Sequence, residues 1–126
     1  NHPDYDSLLG EIVSYLREGM VAAKEAGIDQ EKIIIDPGIG FCKSVRHNLE
    51  IISKLSELKS LGRPILIGVS RKSFVGNTLN LAVQERLEGS LAATCLAVTE
   101  GASIVRTHDV KETRRAVDLT RAILNS

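Results

Sequence analysis

Aromatic residues make up only 3% of this 126-residue sequence, and tryptophan is absent. So few rings exclude a surface on which the bases of single-stranded nucleic acid stack. Neither sign of charge is in excess, because 16 lysine and arginine residues balance 16 aspartate and glutamate residues. A balanced charge excludes nucleic acids and membrane surfaces as partners attracted by bulk charge. We therefore expect neither a nucleic-acid nor a membrane partner.

Long apolar runs and paired cysteines are also missing. No run approaches the roughly 18 residues of a membrane span, and no signal peptide is visible. Cys42 and Cys95 lie far apart, without a C-x-x-C pair or a histidine at metal-ligand spacing. We expect both to be reduced thiols in a cytoplasmic protein.

Three short apolar runs are present, and each leads into a polar or glycine-rich segment. Residues 33–35 precede D-P-G-I-G-F, residues 65–67 precede G-V-S-R-K-S-F, and residues 104–105 precede R-T-H-D. Buried parallel strands typically have such runs. α/β proteins place their chemistry at the carboxyl ends of such strands. The sequence thus predicts three strands whose ends converge on one pocket.

Amphipathic helical patterns alternate with these runs. They cover residues 7–26, 46–61 and 84–100, each followed by glycine, and a fourth begins after Asp109. Asp109 and Glu112 resemble a capping box for that last helix. Strands alternating with helices predict parallel strands joined by right-handed crossovers. The period of about 35 residues fits a (β/α) barrel, but three strands are too few to close a barrel of eight.

Several residues at the strand ends are candidates for a binding site. Arg106 and His108 have the same strand parity, so both side chains can point to one side. Asp36 follows three isoleucines, and a buried charge at a strand end is costly without a partner or a ligand. Asp36 alone could cap its turn, and Arg106 alone could pair with a neighbouring carboxylate. Three such ends in register favour a shared site.

The segments after the first two strands have turn chemistry that suits a ligand. Glycines in D-P-G-I-G allow positive φ and let a ligand approach the backbone closely. Phe41 is either a hydrophobic plug in the core or the apolar wall of a pocket. Ser70 and the two cations after it open a predicted short helix through residue 75, where a carboxylate or phosphate could bind. A solvated basic turn is the alternative. Residues 75–77 are predicted to form a loop, and Arg71 can turn towards solvent.

Together the three strand ends resemble dihydropteroate synthase. The matching stretches are IIIDPGIGFCKSVRHNLEII, PILIGVSRKSFVG, ERLEGSLAATCLAV and GASIVRTHDVKET. They extend over nearly the whole chain, from about residue 5 to residue 124. Two positions depart from the family pattern, Cys42 where a small residue is frequent and Thr107 where valine is frequent.

The resemblance implies a TIM-type (β/α)₈ barrel. Residues 1–126 would form the C-terminal portion of a single pterin-binding barrel domain, with its last three strands and four helices. The chain would then begin in the helix before strand six. The barrel-facing side chains Ile34, Leu66 and Ile104 would lack the partners that the first five strands supply.

The activity implied is a transferase reaction of folate biosynthesis, the target of sulfonamides. It condenses p-aminobenzoate with hydroxymethyl-dihydropterin diphosphate, giving dihydropteroate and diphosphate. We expect it only of the complete chain, and we expect a homodimer. Two alternatives stay open: a pterin-binding methyltransferase of a corrinoid system, and a non-catalytic interaction module. No Ser–His–Asp or Cys–His arrangement suggests a nucleophilic side chain.

The resemblance also implies roles for individual residues. The predicted pterin-binding residues are Asp36, Gly68, Lys72 and Arg106. The predicted p-aminobenzoate-binding residues are Phe41, Ser70 and Arg71. Diphosphate would be held by Arg106 and His108, and the catalytic residues would be Lys72, Arg106 and His108. Mg²⁺ is the expected cofactor, with its ligand in a preceding part of the barrel and no metal ligand in this chain.

Overall fold

The computed structural model describes residues 7–40 and 44–126, in which helices alternate with parallel strands. The α-helices are α1 (Leu8–Glu25), α2 (Val45–Ser53), α3 (Ser73–Leu79), α4 (Leu87–Thr99) and α5 (Val110–Leu124). The strands are β1 (Ile65–Ile67) and β2 (Ala102–Val105), and 3₁₀ helices cover Gln30–Lys32, Leu55–Leu61 and Val83–Glu85. The prediction of an α/β fold with parallel strands is confirmed.

The sheet is smaller than the sequence predicts. β1 and β2 pair in parallel, but residues 33–35 contribute a single parallel bridge, between Ile35 and Ile65. The amide of Ile35 donates to the Pro64 carbonyl at 2.9 Å. Two residues earlier, the Ile33 carbonyl accepts from Nε of Arg63 at 3.0 Å. A side chain thus occupies a carbonyl that a longer strand would use in its ladder, and the predicted third strand is reduced to one bridge.

The two faces of this sheet have different surroundings. Ile35, Ile65 and Ile67 are at most 3% exposed and pack in the core beneath the helices. Ile34, on the opposite face, is 52% exposed, and Leu66 and Ile104 are only half-buried. Of the three side chains expected to lack partners, Ile34 is therefore exposed, whereas Leu66 and Ile104 are partly covered.

Helix α1 follows its sequence pattern closely. The Ser7 hydroxyl accepts from the Gly10 amide at 3.1 Å, which caps the first turn. Leu9 is fully buried, and five further apolar side chains of this helix pack against the core: Leu8, Ile12, Val13, Leu16 and Met20. Burying one such leucine contributes about 1.5–3 kcal/mol.

The predicted second helix, over residues 46–61, is divided at Lys54. The α-helix α2 ends at Ser53, and a 3₁₀ helix continues from Leu55 to Leu61. Leu55, Leu58 and Leu61 are all buried and are spaced by three residues. Side chains three residues apart align in a 3₁₀ helix, which has three residues per turn. The three-residue spacing therefore explains why the α-helix does not continue.

The third predicted helix, over residues 84–100, corresponds to α4, which begins at Leu87. Its pattern predicts an inward face formed by Leu87, Leu91, Cys95 and Val98, but of these only Val98 is buried, together with Ser90, Thr94 and Ala97. A helix that is apolar on most sides gives no periodic signal for the buried face.

Two predictions about the ends of short elements are also wrong. Residues 75–77 belong to α3, which continues to Leu79. Asp109 precedes α5 but makes no side-chain cap hydrogen bond there. Its carboxylate accepts from Arg71 instead, because a guanidinium offers two donors to a carboxylate. None of the helices in the described part of the chain is both long and apolar enough to cross a membrane.

Candidate active site

The turn after residue 35 is held by hydrogen bonds at both ends. Oδ1 of Asp36 accepts from the Gly38 amide at 2.8 Å, a local turn typical of aspartate. Gly38 and Gly40 have φ of 76° and 89°, values that favour glycine. The Gly40 amide donates to Oδ1 of Asn48 at 2.8 Å, which ties the turn to α2. The turn is thereby fixed with the Asp36 side chain exposed.

Lys72 lies where the three strand ends meet. Its Nζ donates to the Ile39 carbonyl at 2.6 Å. Burial lowers the pKa of Lys72, the Asp36 charge acts to raise this pKa, and the Arg106 charge acts to lower it further. A cation is therefore held in partly dry surroundings, between one carboxylate and one guanidinium from different strand ends.

Gly68 lies next to both Lys72 and Arg106. A methyl group at Gly68 would lie 3.7 Å from Cβ of Arg106 and 3.9 Å from Nζ of Lys72. The structure therefore brings together all four residues that the resemblance assigns to the pterin: Asp36, Gly68, Lys72 and Arg106. Their convergence at the carboxyl ends of the strands is the placement that the sequence predicts.

Ser70 and His108 form a second pair across two strand ends. Oγ of Ser70 lies 2.9 Å from Nδ1 of His108 and accepts from the His108 amide at 3.1 Å. Ser70 is 6% exposed, whereas His108 is exposed. The hydroxyl thus fixes the imidazole ring through Nδ1, and Nε2 lies on the opposite edge of the ring.

Arg71 is anchored through its backbone and its side chain. Its φ of 57° lies in the left-handed region, which is unfavourable for a residue with a side chain. Its amide donates to Oγ of Ser90 at 2.8 Å, and its carbonyl accepts from Arg86 at 3.0 Å. Its guanidinium makes two hydrogen bonds to Asp109, at 2.6 and 3.2 Å. The expected orientation towards solvent is thus only partly correct, since the side chain is 42% exposed but paired.

The Arg71–Asp109 pair also has an electrostatic effect. The side-chain hydrogen bond is the main cause that raises the pKa of Arg71 and lowers the pKa of Asp109. Both charges therefore persist across the ordinary pH range, and the pair links the loop after β1 to the loop after β2. Thr107, between Arg106 and His108, bonds the Thr113 hydroxyl at 2.9 Å and accepts from the Asp109 amide at 3.2 Å. Threonine at this position therefore helps to fix the start of α5.

Sequence reasoning missed three supporting residues, Asn48, Ser90 and Arg86. Asn48 and Ser90 are 3% and 4% exposed, and both bond a backbone amide of a site loop. A polar residue on the buried side of a helix was the available signal for Asn48, but not for Ser90, because the pattern of α4 does not mark its buried face. Arg86 gave no such signal. Phe41, the predicted apolar wall, lies outside the described residues.

The described residues contain no group of three or more His, Cys, Asp or Glu side chains that could hold a metal ion. We therefore assign no metal ligand in this part of the chain.

Comparison with known proteins gives the family. The model of the pterin binding enzyme family matches residues 1–108. The chain belongs to this family. It is also 42% identical over 124 residues to the dihydropteroate synthase of Escherichia coli, a match that covers 98% of this chain and 44% of that protein.

Solved structures agree with this assignment. The Yersinia pestis dihydropteroate synthase matches with a TM-score of 0.94 and 40% identity, over 97% of this chain and 50% of that one. A Xanthomonas albilineans dihydropteroate synthase in complex with 7,8-dihydropteroate matches with a TM-score of 0.93 and 38% identity, over 98% and 48%. These synthases have the TIM-barrel fold. The chain spans about half the length of the relatives that it matches.

Proposed function

We propose that the polypeptide carrying this chain is a dihydropteroate synthase. It joins p-aminobenzoate to hydroxymethyl-dihydropterin diphosphate and releases diphosphate, a step of folate biosynthesis. The observation that carries the proposal is the convergence of Asp36, Lys72 and Arg106 around Gly68. Family membership and the likeness to synthases support it, and one of those synthases is solved with 7,8-dihydropteroate.

Residues 1–126 would supply the C-terminal portion of a single barrel domain, with its last three strands and four outer helices. The exposed face of the sheet supports this placement, because Ile34 projects where the interior of a closed barrel would lie. If a preceding strand paired with residues 33–35, this segment, which now makes a single bridge at Ile35, would become a full strand. The remaining strands would complete the site.

The pterin would bind between Asp36 and Lys72. One oxygen of the Asp36 carboxylate is engaged by the Gly38 amide. The second oxygen can accept from the pterin ring N–H or its amino group, and the negative charge strengthens that bond. The Lys72 ammonium, which donates to the Ile39 carbonyl, would also donate to the pterin carbonyl side, while Arg106 stacks on the ring.

The diphosphate would leave beside Arg106 and His108. A guanidinium presents two parallel donors to phosphate oxygens. The imidazole is held at Nδ1 by Ser70, so Nε2 can donate to the leaving group. As the C–O bond breaks, the electron pair stays with diphosphate, and these donors stabilise the charge that develops. The p-aminobenzoate amine then attacks the cation-like methylene, so no nucleophilic side chain is required.

The p-aminobenzoate site would adjoin Ser70 and Arg71, with Phe41 as its apolar wall. The Ser70 hydroxyl bonds His108, and the Arg71 guanidinium bonds Asp109. We therefore expect Ser70 to contact p-aminobenzoate through its backbone, and Arg71 through its backbone and the aliphatic part of its side chain. Mg²⁺, with a ligand expected outside this chain, would neutralise charge on the departing diphosphate.

The test uses the polypeptide expressed from its natural reading frame. Radiolabelled p-aminobenzoate should bind in the presence of the pterin and diphosphate, and a sulfonamide should displace it. A corrinoid-linked methyltransferase has no use for a second carboxylate substrate at the Lys72 loop. Absence of p-aminobenzoate binding, with methyl transfer from a methylated pterin, would replace the proposal by that alternative. Absence of both would favour the non-catalytic module.

We also propose a homodimer located in the cytoplasm. Exposed apolar side chains on the outer helices support the dimer, among them Leu96 of α4 at 61% and Leu119 of α5 at 64% exposure. The free, half-buried thiol of Cys95 supports a reducing compartment. Size-exclusion chromatography with light scattering measures the mass in solution, and a stable monomer at tens of micromolar would contradict the dimer.

A further inference from the structure

The Ile39–Gly40 peptide group is bonded on both sides by side chains from other elements. Its N–H donates to Oδ1 of Asn48 at 2.8 Å, and its carbonyl accepts from Nζ of Lys72 at 2.6 Å. The other end of the Asn48 amide donates to the Ser44 carbonyl at 3.0 Å. Only this orientation of the amide satisfies both of its partners. A continuous chain of hydrogen bonds therefore runs from the start of α2 to the Lys72 ammonium.

Within residues 7–40 and 44–126, these two hydrogen bonds are the ones that hold the orientation of this peptide group. Gly40 has no side chain and a φ of 89°, so the backbone on that side resists rotation weakly. A rotation that reversed the peptide would turn its N–H towards the lysine and remove the carbonyl acceptor. The Asn48 side chain is 3% exposed and anchored at both ends, so it is suited to prevent that rotation.

From this geometry we infer that Asn48 is a positioning residue, which sets the place of the Lys72 ammonium in the pterin site by fixing the Ile39–Gly40 peptide. The inference deepens the proposed function and rests on it only for the identity of the ligand. Asn48 touches neither substrate in this account. It acts through one peptide group on a residue that does.

The charge state of Lys72 depends on the hydrogen bond that the Ile39 carbonyl accepts from it. Burial lowers the pKa of Lys72, and Arg106 lowers it further, so the charged form depends on its acceptors. A carbonyl polarised by a hydrogen bond at its own N–H is a stronger acceptor. Loss of that carbonyl should shift Lys72 further towards its neutral form and leave the amine less well placed.

The experiment compares three variants in the polypeptide expressed from its natural reading frame. Asn48→Leu removes the acceptor and fills the space, which leaves no room for a bridging water. Asn48→Asp keeps an oxygen facing the Gly40 amide. Ser44→Ala is the matched control, because the Ser44 hydroxyl caps the same helix by accepting from the His47 amide at 3.1 Å and does not touch the Gly40 peptide.

The first readout is the titration of Lys72, followed by the NMR signal of its ¹³Cε-labelled side chain and assigned with Lys72→Arg. Asn48→Leu should lower the pKa of Lys72, whereas Asn48→Asp and Ser44→Ala should not. The second readout is kinetic. Asn48→Leu should lower kcat/KM by at least about tenfold, the scale for one hydrogen bond to a charged group. Asn48→Asp should recover part of this loss, because it keeps the acceptor for the Gly40 amide but loses the donor to the Ser44 carbonyl.

An unchanged Lys72 titration in Asn48→Leu would overturn the inference, even if the variant were less active. Equal effects of Asn48→Leu and Ser44→Ala on the titration would overturn it too, since they would assign the effect to the helix and not to the peptide. Failure of the proposed function has a different signature, because the wild-type protein would then form no dihydropteroate while Lys72 still responded to Asn48.

Discussion

Replacing Asp36 by asparagine should weaken pterin binding by about 2–4 kcal/mol and leave the fold intact. Asparagine retains one oxygen to accept from the Gly38 amide, so the turn keeps its 2.8 Å hydrogen bond. The second oxygen becomes an NH₂ group, which faces the donors of the pterin. Loss of a charged hydrogen bond and one unmatched donor together give that magnitude, which corresponds to a dissociation constant about thirtyfold to several hundredfold higher.

Isothermal titration calorimetry with the pterin measures this change directly. Asp29→Asn is the matched control, because Oδ1 of Asp29 accepts from the Glu31 amide at 3.0 Å in the same type of turn, away from the strand ends. The free energy of unfolding of both variants, measured in denaturant, should lie within about 0.5 kcal/mol of the wild-type value. Near-normal pterin affinity and turnover in Asp36→Asn would remove Asp36 from the site. An equal loss in both variants would assign the effect to turn chemistry.

The other predictions concern Lys72, Arg106 and the packing of α3. Lys72→Ala and Arg106→Ala should each lower kcat/KM at least about a hundredfold, while Lys111→Ala on the exposed side of α5 should not. The difference in free energy of unfolding between wild type and Lys72→Met should depend on pH. Because the folded pKa of Lys72 is lowered, the unfolded chain binds more protons between that pKa and 10.5, so wild type gains stability relative to Lys72→Met as pH rises through this window. Gly89→Ala should cost about 1–3 kcal/mol in stability, because its Cβ would lie 2.5 Å from Cγ1 of Val75.

Each of these predictions has a contrary result. Wild-type kinetics in either site variant would remove that cation from the mechanism. A flat difference between wild type and Lys72→Met across the pH series would mean that burial does not lower the pKa of Lys72. Gly89→Ala should be partly rescued by Val75→Ala, which removes the clashing methyl group, and simple additivity of the two changes in denaturant unfolding would exclude that contact.

The sequence predicts the elements best where a local pattern is unambiguous. The amphipathic pattern over residues 7–26 predicts the first helix, and the structure places α1 at Leu8–Glu25. The helix after residue 54 was misassigned, although Leu55, Leu58 and Leu61 already show the three-residue spacing of a 3₁₀ helix. The buried face of α4 could not be predicted, because apolar residues surround that helix.

The features of the candidate site also differ in whether the sequence predicts them. The convergence of Asp36, Lys72 and Arg106 follows from strand order and from the common edge at which parallel strands end. The pairing of Arg71 with Asp109 joins residues 38 positions apart, and no local pattern specifies it. The left-handed backbone of Arg71 is equally hidden, because arginine does not signal a positive φ as glycine does. Tertiary hydrogen bonds set these features.

The central claim is that these strand ends bind a pterin diphosphate for attack by an aromatic amine. Its most direct test is the stoichiometry of turnover in the polypeptide expressed from its natural reading frame, with carboxyl-labelled p-aminobenzoate and hydroxymethyl-dihydropterin diphosphate. We predict one labelled dihydropteroate for each diphosphate released, and loss of both in Lys72→Ala. Diphosphate release without labelled product, or labelled product that persists in Lys72→Ala, would contradict this account of the site.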